Sequence, residues 1–330
     1  MQIKLIKPGI LTTVQDLGRP EFKGNAIPLS GAMDRLSARL ANKAIGNADT
    51  EATLEFTFAD AAFTTITAVL ISYSGEGAFL KIGNELLPAN CPIYIPASTT
   101  ISLTNNQAGC RTYLAIAGGW RVDEVLGSRS TYITGQFGGY KGRALLSNDM
   151  LSAQETCTSL TKKILSSLQG NAINYPSWRL SSPLYRKKKN EIRVVPGEEF
   201  GWFDGKSIVT FLQESFKVSL QSNRMGFQLD GPLLKKIRKE ELLSTAVTFG
   251  TIQVTGNGSL IILMADAQTT GGYPRIAQVA MVDLPICAQL KPNDYLSFKE
   301  ISRVDAENMY LEQERVLTLI DTSIRHKFSE

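Results

Sequence analysis

Short apolar segments, each bounded by glycine, proline, asparagine or serine, recur along almost the whole chain. Most are too short for a helix and are rich in β-branched residues, which favours strands. The predicted strands are residues 3–6, 68–73, 79–82, 93–95, 100–103, 112–117, 192–195, 207–211, 217–220, 251–255 and 260–264. Such closely spaced strands are typical of barrels and sandwiches rather than of βαβ units. We therefore predict a mostly-β fold with a few short helices.

Three helices are predicted beside the strands. Asp34 is a good N-cap for a helix over Arg35–Ile45, whose leucines and alanines share one face. A terminal helix is predicted over Asp305–Ile320 and is expected to dock on the second half of the chain. A third is predicted over Leu233–Leu243, because a Gly-Pro pair precedes a segment rich in lysine and glutamate.

Two domains are expected, since 330 residues are enough for two hydrophobic cores. Pro183 and the basic run Arg186–Lys189 interrupt the strand pattern. We therefore predict an N-terminal domain of residues 1–185 and a C-terminal domain of residues 186–330. The basic run is interpreted as a solvated linker, because a nucleic-acid site would need interleaved aromatic residues or a recognised module.

The side chains available restrict the chemistry. The single histidine, His326, lies in the C-terminal tail, which excludes Ser-His-Asp and Cys-His catalysis and His-rich metal sites. The 4 cysteines lack C-x-x-C spacing and are expected to be reduced, as in a cytoplasmic protein. No stretch reaches the ~18 consecutive apolar residues of a membrane span, and no signal-peptide core is visible. Any chemistry must therefore rest on carboxylates, cations, hydroxyls, amides and backbone groups.

The densest polar segment, Asp266–Arg275, follows the apolar run Leu260–Met264 directly. It combines a carboxylate, an amide, two hydroxyls, a tyrosine and an arginine with two glycines. Gly271 and Gly272 permit positive φ, so that backbone N–H groups can approach an anion. Polar groups at the mouth of a buried strand must find partners, so this segment either forms a hydrogen-bonded turn or faces a ligand.

A second polar segment, Thr12–Pro20, has a similar composition. Its candidate functional side chains are those of Thr13, Gln15, Asp16 and Arg19, which supply donors, acceptors and a fixed cation. The alternative is a simple loop in which the arginine pairs with the aspartate. Two segments of this kind in one chain favour a shared polar cleft.

Further glycine-rich polar segments span residues 29–34, 117–120, 126–131, 138–143 and 222–231. Arg129 and Arg143 would suit recognition of a carboxylate or phosphate. Backbone N–H groups of residues 29–34, which lead into the first helix, could receive an anion. Each segment could equally be a turn or a helix cap, and Arg224 could simply pair with Asp230.

The segment Gly201–Ser207 resembles a nucleotide-binding loop only superficially. A P-loop needs four residues between its glycines, whereas this segment has three. No G-x-G-x-x-G fingerprint occurs elsewhere. We therefore interpret the segment as a hairpin turn.

Taken in order, these segments closely resemble the biotin-dependent carboxyltransferase family over about residues 5–300. The matching motifs are TTVQDLGRP, PLSGAMDRLSARLANKAIGN, AGGW, LGSRST, GGYKGRAL, SNRMGFQLDGP and DAQTTGGYPRIAQV. The family includes the carboxyltransferase region of urea carboxylase, also called allophanate hydrolase subunit 2, and the C subunit of bacterial 5-oxoprolinase. The resemblance implies two cyclophilin-like β-barrel domains, in agreement with the strand pattern.

The resemblance also implies an activity. A chain of this length looks like the 5-oxoprolinase component, and it lacks the Met-Lys-Met motif of a biotin carrier, so biotin is not expected on it. The implied partners are the other two 5-oxoprolinase components, a cyclophilin-like B subunit and a lactam-utilisation-type A subunit. Their cytoplasmic complex would be an ATP-dependent lactam hydrolase that cleaves 5-oxo-L-proline to L-glutamate, with Mg²⁺ accompanying the nucleotide. Neither a nucleic acid nor a membrane is an expected partner.

Two alternatives stay open. One is a carboxyltransferase component that accepts carboxybiotin from separate polypeptides. The other is a non-catalytic regulator, because relatives in the family antagonise inhibitors of sporulation kinases.

One cleft, formed by the two polar segments, is expected to hold the site. The expected catalytic residues are Asp16, Arg19 and Asp266. The expected substrate-binding residues are Thr13, Gln15, Asp34, Arg129, Arg143, Asn223, Arg224, Gln268, Thr269, Thr270, Gly271, Gly272, Tyr273 and Arg275. No resident metal is predicted, although a magnesium ion brought by ATP would need a carboxylate such as Asp16, Asp34 or Asp266.

Overall fold

The computed structural model describes residues 1–181, 190–238 and 240–328. The chain forms two compact units. The first unit comprises Met1–Gly18, Asp34–Pro183 and Arg315–Glu330, and the second comprises Arg19–Met33 and Leu184–Glu314. The basic run predicted to be a linker lies outside the described residues, as does the predicted domain boundary at residues 185 and 186. That boundary stays a prediction.

The first unit is built on two antiparallel sheets. Its strands are β1 (Gln2–Pro8), β2 (Leu11–Gln15), β3 (Thr53–Thr57), β4 (Ala61–Thr65), β5 (Val69–Gly75), β6 (Ala78–Ile82), β7 (Glu85–Leu86), β8 (Ile93–Ile95), β9 (Thr100–Asn105), β10 (Arg111–Ile116) and β11 (Met150–Ser152). One sheet has the order β11-β1-β4-β9-β6-β7, and the other has the order β2-β3-β10-β5-β8. This second sheet places the polar residues at the end of β2 beside the start of β3.

The core of the first unit lies among the apolar faces of these strands. In β1 the buried Ile3 and Leu5 alternate with more exposed neighbours, as expected for a strand with one covered face. The central strand β10 is buried along its whole length. Its neighbour Trp120 is fully buried and donates its indole N–H to Leu114 O at 3.0 Å.

The second unit contains a closed barrel. Its strands are β12 (Glu191–Pro196), β13 (Ser215–Val218), β14 (Gly226–Asp230), β15 (Thr245–Ala246), β16 (Thr251–Val254), β17 (Leu260–Leu263), β18 (Thr270–Gly271), β19 (Arg275–Val279) and β20 (Tyr295–Glu300). The barrel has the order β12-β19-β16-β17-β14-β13-β20, whereas β15 and β18 form a small separate ribbon. Closure removes the exposed sheet edges and encloses a core. In that core Phe298 stacks on Phe211 at 4.6 Å between ring centroids.

Five α-helices lie among the described residues: α1 (Arg35–Ala44), α2 (Ser159–Leu168), α3 (Gly205–Gln213), α4 (Leu284–Gln289) and α5 (Arg303–Lys327). Short 3₁₀ helices span Pro20–Asn25, Phe200–Trp202 and Met281–Asp283. The predicted cap of α1 is confirmed, since Asp34 Oδ1 accepts the Ser37 N–H at 2.9 Å. The predicted terminal helix is also confirmed but is longer, at 25 residues. Its expected docking on the second half of the chain is wrong for the residues from Arg315 onward, which belong to the first unit, where Asp321 pairs with Lys43. The mostly-β class with few helices is confirmed. No helix in the described ranges is both long and apolar enough to cross a membrane.

Three local predictions are wrong. Neither the hairpin turn predicted at residues 201–207 nor the strand predicted at 207–211 forms. Residues from Gly205 onward belong instead to the helix α3. Asp204 starts this helix, because its Oδ1 accepts the Ser207 N–H at 2.7 Å. Residues 233–238 and 240–243 are not helical, since Leu234 N–H donates to Gly258 O and Ile237 N–H to Trp202 O.

Candidate functional site

The carboxylate of Asp16 lies at the centre of a hydrogen-bonded cluster in the first unit. Its Oδ1 accepts the Ser128 hydroxyl at 2.6 Å and the Gly18 N–H at 2.7 Å. Its Oδ2 accepts the Arg129 N–H at 2.6 Å, and the Ser130 hydroxyl also donates to Oδ1. A buried carboxylate with this many donors fixes the loop that supplies them. Asp16 therefore sets the position of Arg129.

Thr13 and Gln15 continue this cluster along β2. Gln15 Nε2 donates to Thr13 Oγ1 at 3.0 Å and to Thr131 O at 3.2 Å. Its Oε1 is buried and has no hydrogen-bond partner. Such an acceptor is uncommon in a folded protein and marks a place where function or an extra polar group is expected. The structure thus brings together Thr13, Gln15, Asp16 and Arg129 among the predicted residues.

Glu51 lies near the same cluster, two residues before Thr53, which pairs with Gln15, although sequence reasoning missed it. Its Oε2 accepts the Gln154 Nε2–H at 2.8 Å. Burial is the largest influence and raises the pKa of Glu51, with a smaller contribution of the same sign from Asp16. The charge of Arg129 and the Gln154 hydrogen bond act in the opposite direction. Glu51 is therefore a half-buried carboxyl with a raised pKa, as proton-transfer groups commonly are.

Gly119 packs directly against this carboxyl. Its φ is +80°, and a Cβ built there would overlap the Glu51 carboxylate and lie 3.2 Å from Gln154 Nε2. Gln154 in turn donates its backbone N–H to Gly119 O at 3.0 Å. The glycine pair was a visible signal in the sequence, but its acidic neighbour is far away along the chain.

Asp34 and Arg143 have other hydrogen-bonding roles in the first unit. Besides capping α1 through its carboxylate, Asp34 donates its backbone N–H to the Tyr113 hydroxyl at 2.8 Å. Arg143 forms a bidentate ion pair with Asp149 at 2.7 and 2.8 Å. Although burial raises the pKa of Asp149, hydrogen bonds from Arg143 and Leu146 lower it overall. Both predicted substrate-binding side chains thus have local structural partners.

In the second unit, Arg224 and Asp266 form a buried ion pair. Arg224 Nε lies 2.8 Å from Asp266 Oδ2, and Arg224 Nη2 lies 3.2 Å from Asp266 Oδ1. The alternative pairing of Arg224 with Asp230 is wrong, because Arg224 turns to Asp266 instead. Arg224 Nη2 also donates to Gly31 O at 2.7 Å. The pair thus connects the 222–231 loop, the Asp266–Arg275 segment and the turn at Gly31.

The Ser30-Gly31 turn lies against this ion pair. Ser30 N–H donates to Ala265 O at 2.8 Å, and both turn residues have positive φ, +53° and +86°. Positive φ is unusual for serine and persists only where the surroundings hold it. Ser30 Oγ is buried without a hydrogen-bond partner. The predicted residue Arg19 is also buried and anchors this segment by donating its backbone N–H to Leu29 O at 2.8 Å.

Arg275 forms a second bidentate ion pair in this unit. Its Nε and Nη2 lie 2.8 and 2.7 Å from the two carboxylate oxygens of Glu199. Burial acts to raise the pKa of Glu199, but the hydrogen bonds and charge of Arg275 lower it overall. The Arg275 backbone N–H donates to the same carboxylate at 2.9 Å. This pair fixes the start of β19.

The rest of the Asp266–Arg275 segment is more accessible. Gln268, Thr270, Gly272 and Tyr273 are exposed, whereas Thr269 and Gly271 are partly exposed. Thr270 and Gly271 form β18 and pair with β15. The accessible residues thus project from a short ribbon held at both ends by ion pairs.

Tyr273 lines a cavity of about 430 Å³ in the second unit. The remaining lining comes from residues 228–230, 255–257 and 259–261, most of them polar. Asn223, also predicted to bind substrate, instead stabilises its own turn by accepting the Met225 N–H at 2.8 Å. The cavity is therefore an accessible concave surface beside the predicted substrate loop within this unit.

The predicted cleft between the two polar segments stays a prediction. Residues up to Gly18 belong to the first unit, whereas Arg19, Pro20 and Asp266–Arg275 belong to the second. Among the described residues, no group of three or more histidine, cysteine, aspartate or glutamate side chains could hold a metal ion.

Comparison with known proteins identifies the family. The model for the carboxyltransferase domain, subdomain A and B, matches residues 25–300. This chain therefore belongs to the carboxyltransferase domain family, and the resemblance drawn from its motifs is confirmed. The match includes the Asp16 partners at 128–130 and the Arg224–Asp266 pair.

Individual relatives are similar over nearly the whole chain. The C subunit of 5-oxoprolinase from Escherichia coli (strain K12) is 34% identical over 313 residues, which cover 95% of this chain and 96% of that protein. The urea amidolyase of Lachancea kluyveri is 32% identical over 96% of this chain but only 18% of its own length. The crystal structure of the K. lactis urea amidolyase has a TM-score of 0.85 at 29% identity, over 97% of this chain and 20% of that one.

Proposed function

We propose that this chain is the C subunit of an ATP-dependent 5-oxoprolinase complex that cleaves 5-oxo-L-proline to L-glutamate. The observation that carries the proposal is the 34% identity to a 5-oxoprolinase C subunit, which extends over 96% of that protein. The urea amidolyase match covers a small part of a much longer polypeptide. The proposal includes the A and B subunits as partners and a cytoplasmic location for the complex.

The side chains of Glu51 and Arg129 suit the cleavage of an amide. Lactam cleavage breaks a C–N bond, so the nitrogen must gain a proton and the carbonyl oxygen must be polarised. Glu51 can exchange a proton, and Arg129 can donate hydrogen bonds to an oxygen. Neither task needs a histidine or a cysteine.

ATP with Mg²⁺ is proposed for the complex and is not assigned to this chain. Phosphoryl transfer from ATP would activate the poorly electrophilic lactam carbonyl. The described residues offer no clustered metal ligands, so no step is assigned to a metal here. The contribution of this chain is then to bind and orient the amide substrate.

The test is co-expression of the chain with its partner subunits, followed by assay with 5-oxo-L-proline and ATP. Glutamate and ADP should form together, and omission of this chain should abolish both. A complex that forms but releases no glutamate, or one equally active without this chain, contradicts the proposal. The matched control is the Glu155→Ala complex, since Glu155 is exposed and pairs only loosely with Arg121 at 3.2 Å.

A carboxyltransferase component is the second candidate. The family model itself describes a carboxyltransferase domain, and the urea amidolyase relative is 32% identical. The same complex is assayed with and without bicarbonate and a biotinylated carrier. Strict dependence of product formation on both additions would favour carboxyl transfer over direct lactam hydrolysis.

A further inference from the structure

Glu51, Arg129 and Gln154 lie around the end of β2 in the first unit. The Gln154 amide donates to Glu51 Oε2 at 2.8 Å. The pairing of Gln15 with Thr53 brings the Glu51 segment to the end of β2, where Asp16 holds the Arg129 backbone. The three residues of this polar group, Glu51, Arg129 and Gln154, come from different loops, so the fold has assembled them from distant parts of the sequence. They provide an acceptor, a cationic donor and an amide.

The surroundings hold this group in place. Asp16 fixes the backbone of Arg129 through a 2.6 Å hydrogen bond, and the neighbouring serines bind the same carboxylate. Gly119 has no Cβ and so leaves room for the Glu51 carboxyl. Any other residue type would place a Cβ where that carboxyl lies. The group is therefore preorganised, as a binding site for a small ligand requires.

Both functional side chains retain capacity for a ligand. Arg129 is 28% exposed, and its Nη2 lies 3.4 Å from Glu124, a longer contact with a residue that is itself more than half exposed. A guanidinium has five N–H donors, so this contact leaves most of them available. The Glu51 carboxylate accepts the Gln154 amide and has lone pairs for further N–H groups.

The charges around this group favour the amide of a ligand over its carboxylate. Asp16 and Glu124 both contact Arg129, and Glu51 adds a further carboxyl at the end of β2, so negative charge exceeds positive charge around the group. A carboxylate placed there would be repelled, whereas an amide presents an N–H to an acceptor and a C=O to a donor, so the carboxylate of 5-oxo-L-proline must lie away from this group. The ligand chemistry is therefore that of a –CO–NH– group in a small molecule.

We infer that Glu51 and Arg129 bind the amide of the substrate, with Glu51 accepting its N–H and Arg129 donating to its C=O. The identification of that substrate as a lactam rests on the proposed function. Urea presents the same donor and acceptor pattern, so both candidate reactions share this chemistry. Gln154 and Gly119 are positioning residues that act on the Glu51 carboxyl.

The experiment is calorimetric titration of the full chain, and of the co-expressed complex, with 5-oxo-L-proline, N-methyl-5-oxo-L-proline and urea. The N-methyl compound keeps the carbonyl and the carboxylate but lacks the N–H. We expect it to bind roughly tenfold or more weakly, the loss typical of a hydrogen bond to a charged group. Glu51→Ala should remove this discrimination, and Arg129→Gln should weaken binding of both lactams by a similar factor.

The pH dependence gives an independent readout. Glu51 accepts the N–H as a carboxylate, so binding should weaken as pH falls through its raised pKa. Burial is the main cause of the raised pKa, Arg129 and the Gln154 hydrogen bond act to lower it, and Asp16 adds a smaller raise. Glu51→Gln, which is nearly isosteric and does not titrate, should bind without this pH dependence. Arg121→Gln, at an exposed arginine, is the control and should bind like the wild type. Thermal unfolding of each variant confirms that the fold is kept.

Equal affinity for the two lactams, or wild-type affinity in both Glu51→Ala and Arg129→Gln, would overturn the inference. If none of the three ligands binds the wild-type complex, the inference is also overturned. Undiminished 5-oxoproline turnover in Glu51→Ala overturns this site but leaves the proposed function intact. Urea binding that depends on Glu51 and Arg129, in a complex without 5-oxoproline turnover, upholds the site and overturns the proposed function.

Discussion

The guanidinium of Arg224 binds the carboxylate of Asp266 through two hydrogen bonds, and both side chains are buried. Arg224 also donates to Gly31 O, so one cation joins three segments that are distant in sequence. All three segments contain motifs from which a functional site was predicted. The ion pair is thus the structural centre of the predicted loop in the second unit.

Asp266→Ala is expected to destabilise the chain by roughly 3–5 kcal/mol, because it leaves the Arg224 charge buried without its partner. Denaturant unfolding measures this loss. Asp230→Ala is the matched control, since that carboxylate is exposed in the same unit and should change stability by less than ~0.5 kcal/mol. Equal stability of the two variants would contradict the structural role of the pair.

Activity of Asp266→Ala must therefore be measured where the variant is still folded. The sequence predicts that Asp266→Ala and Arg19→Ala abolish complex activity. Wild-type turnover in both folded variants would refute a catalytic role for these residues.

Asp16→Ala should cost about 2–4 kcal/mol in the free energy of unfolding, because two serine hydroxyls and two backbone N–H groups lose their acceptor. Thermal or denaturant unfolding checks this. Glu155→Ala removes an exposed carboxylate from the same unit and should change stability by less than ~1 kcal/mol. A loss in Asp16→Ala as small as that of the control would show that the cluster does not hold the Arg129 loop.

The Glu199–Arg275 pair predicts a pH dependence of stability. The folded-state pKa of Glu199 lies below its ordinary value of 4.5, so its contribution is present above that value and is lost as pH falls through the folded pKa. Unfolding free energies of the wild type and Glu199→Gln should differ most near neutral pH. Their difference should shrink in acid, and a difference that is constant with pH would contradict the assignment.

Gly119→Ala tests the close approach to Glu51. Its positive φ and the overlap with the carboxylate both disfavour a Cβ, so the Glu51 carboxyl must move. We expect a loss of complex activity of roughly tenfold or more, on the scale of one displaced catalytic hydrogen bond. Gly170→Ala is the control, because a Cβ there meets nothing within 4 Å. Equal activity of the two variants would count against a role for Glu51.

Local signals in the sequence predicted much of the fold. The strand over Ile93–Ile95 and the helix that Asp34 caps follow from apolar pattern and capping alone. The strand predicted over residues 207–211 failed because apolar residues there also suit a helix, and the cap at Asp204 decided between them. The helix predicted over Leu233–Leu243 failed because long-range hydrogen bonds from its backbone replace helical ones.

The candidate site was harder to predict, because its partners are far apart along the chain. Arg224 and Asp266 are separated by 42 residues, and Gln154 and Glu51 by 103. The local sequence shows that an arginine or a carboxylate is present, but it does not show which residue pairs with it in the fold. Glu51 in particular lies in a segment without a motif, and only the fold places it beside Gly119 and Gln154.

If this chain is a necessary part of an enzyme that opens a lactam, glutamate release must depend on it. The decisive assay is glutamate release from 5-oxo-L-proline by the purified complex, with and without this chain and with ATP present. We predict release only when the chain, its partner subunits and ATP are all present. Glutamate release that is unchanged when this chain is omitted, or no release from the intact complex, would show that the proposed function is wrong.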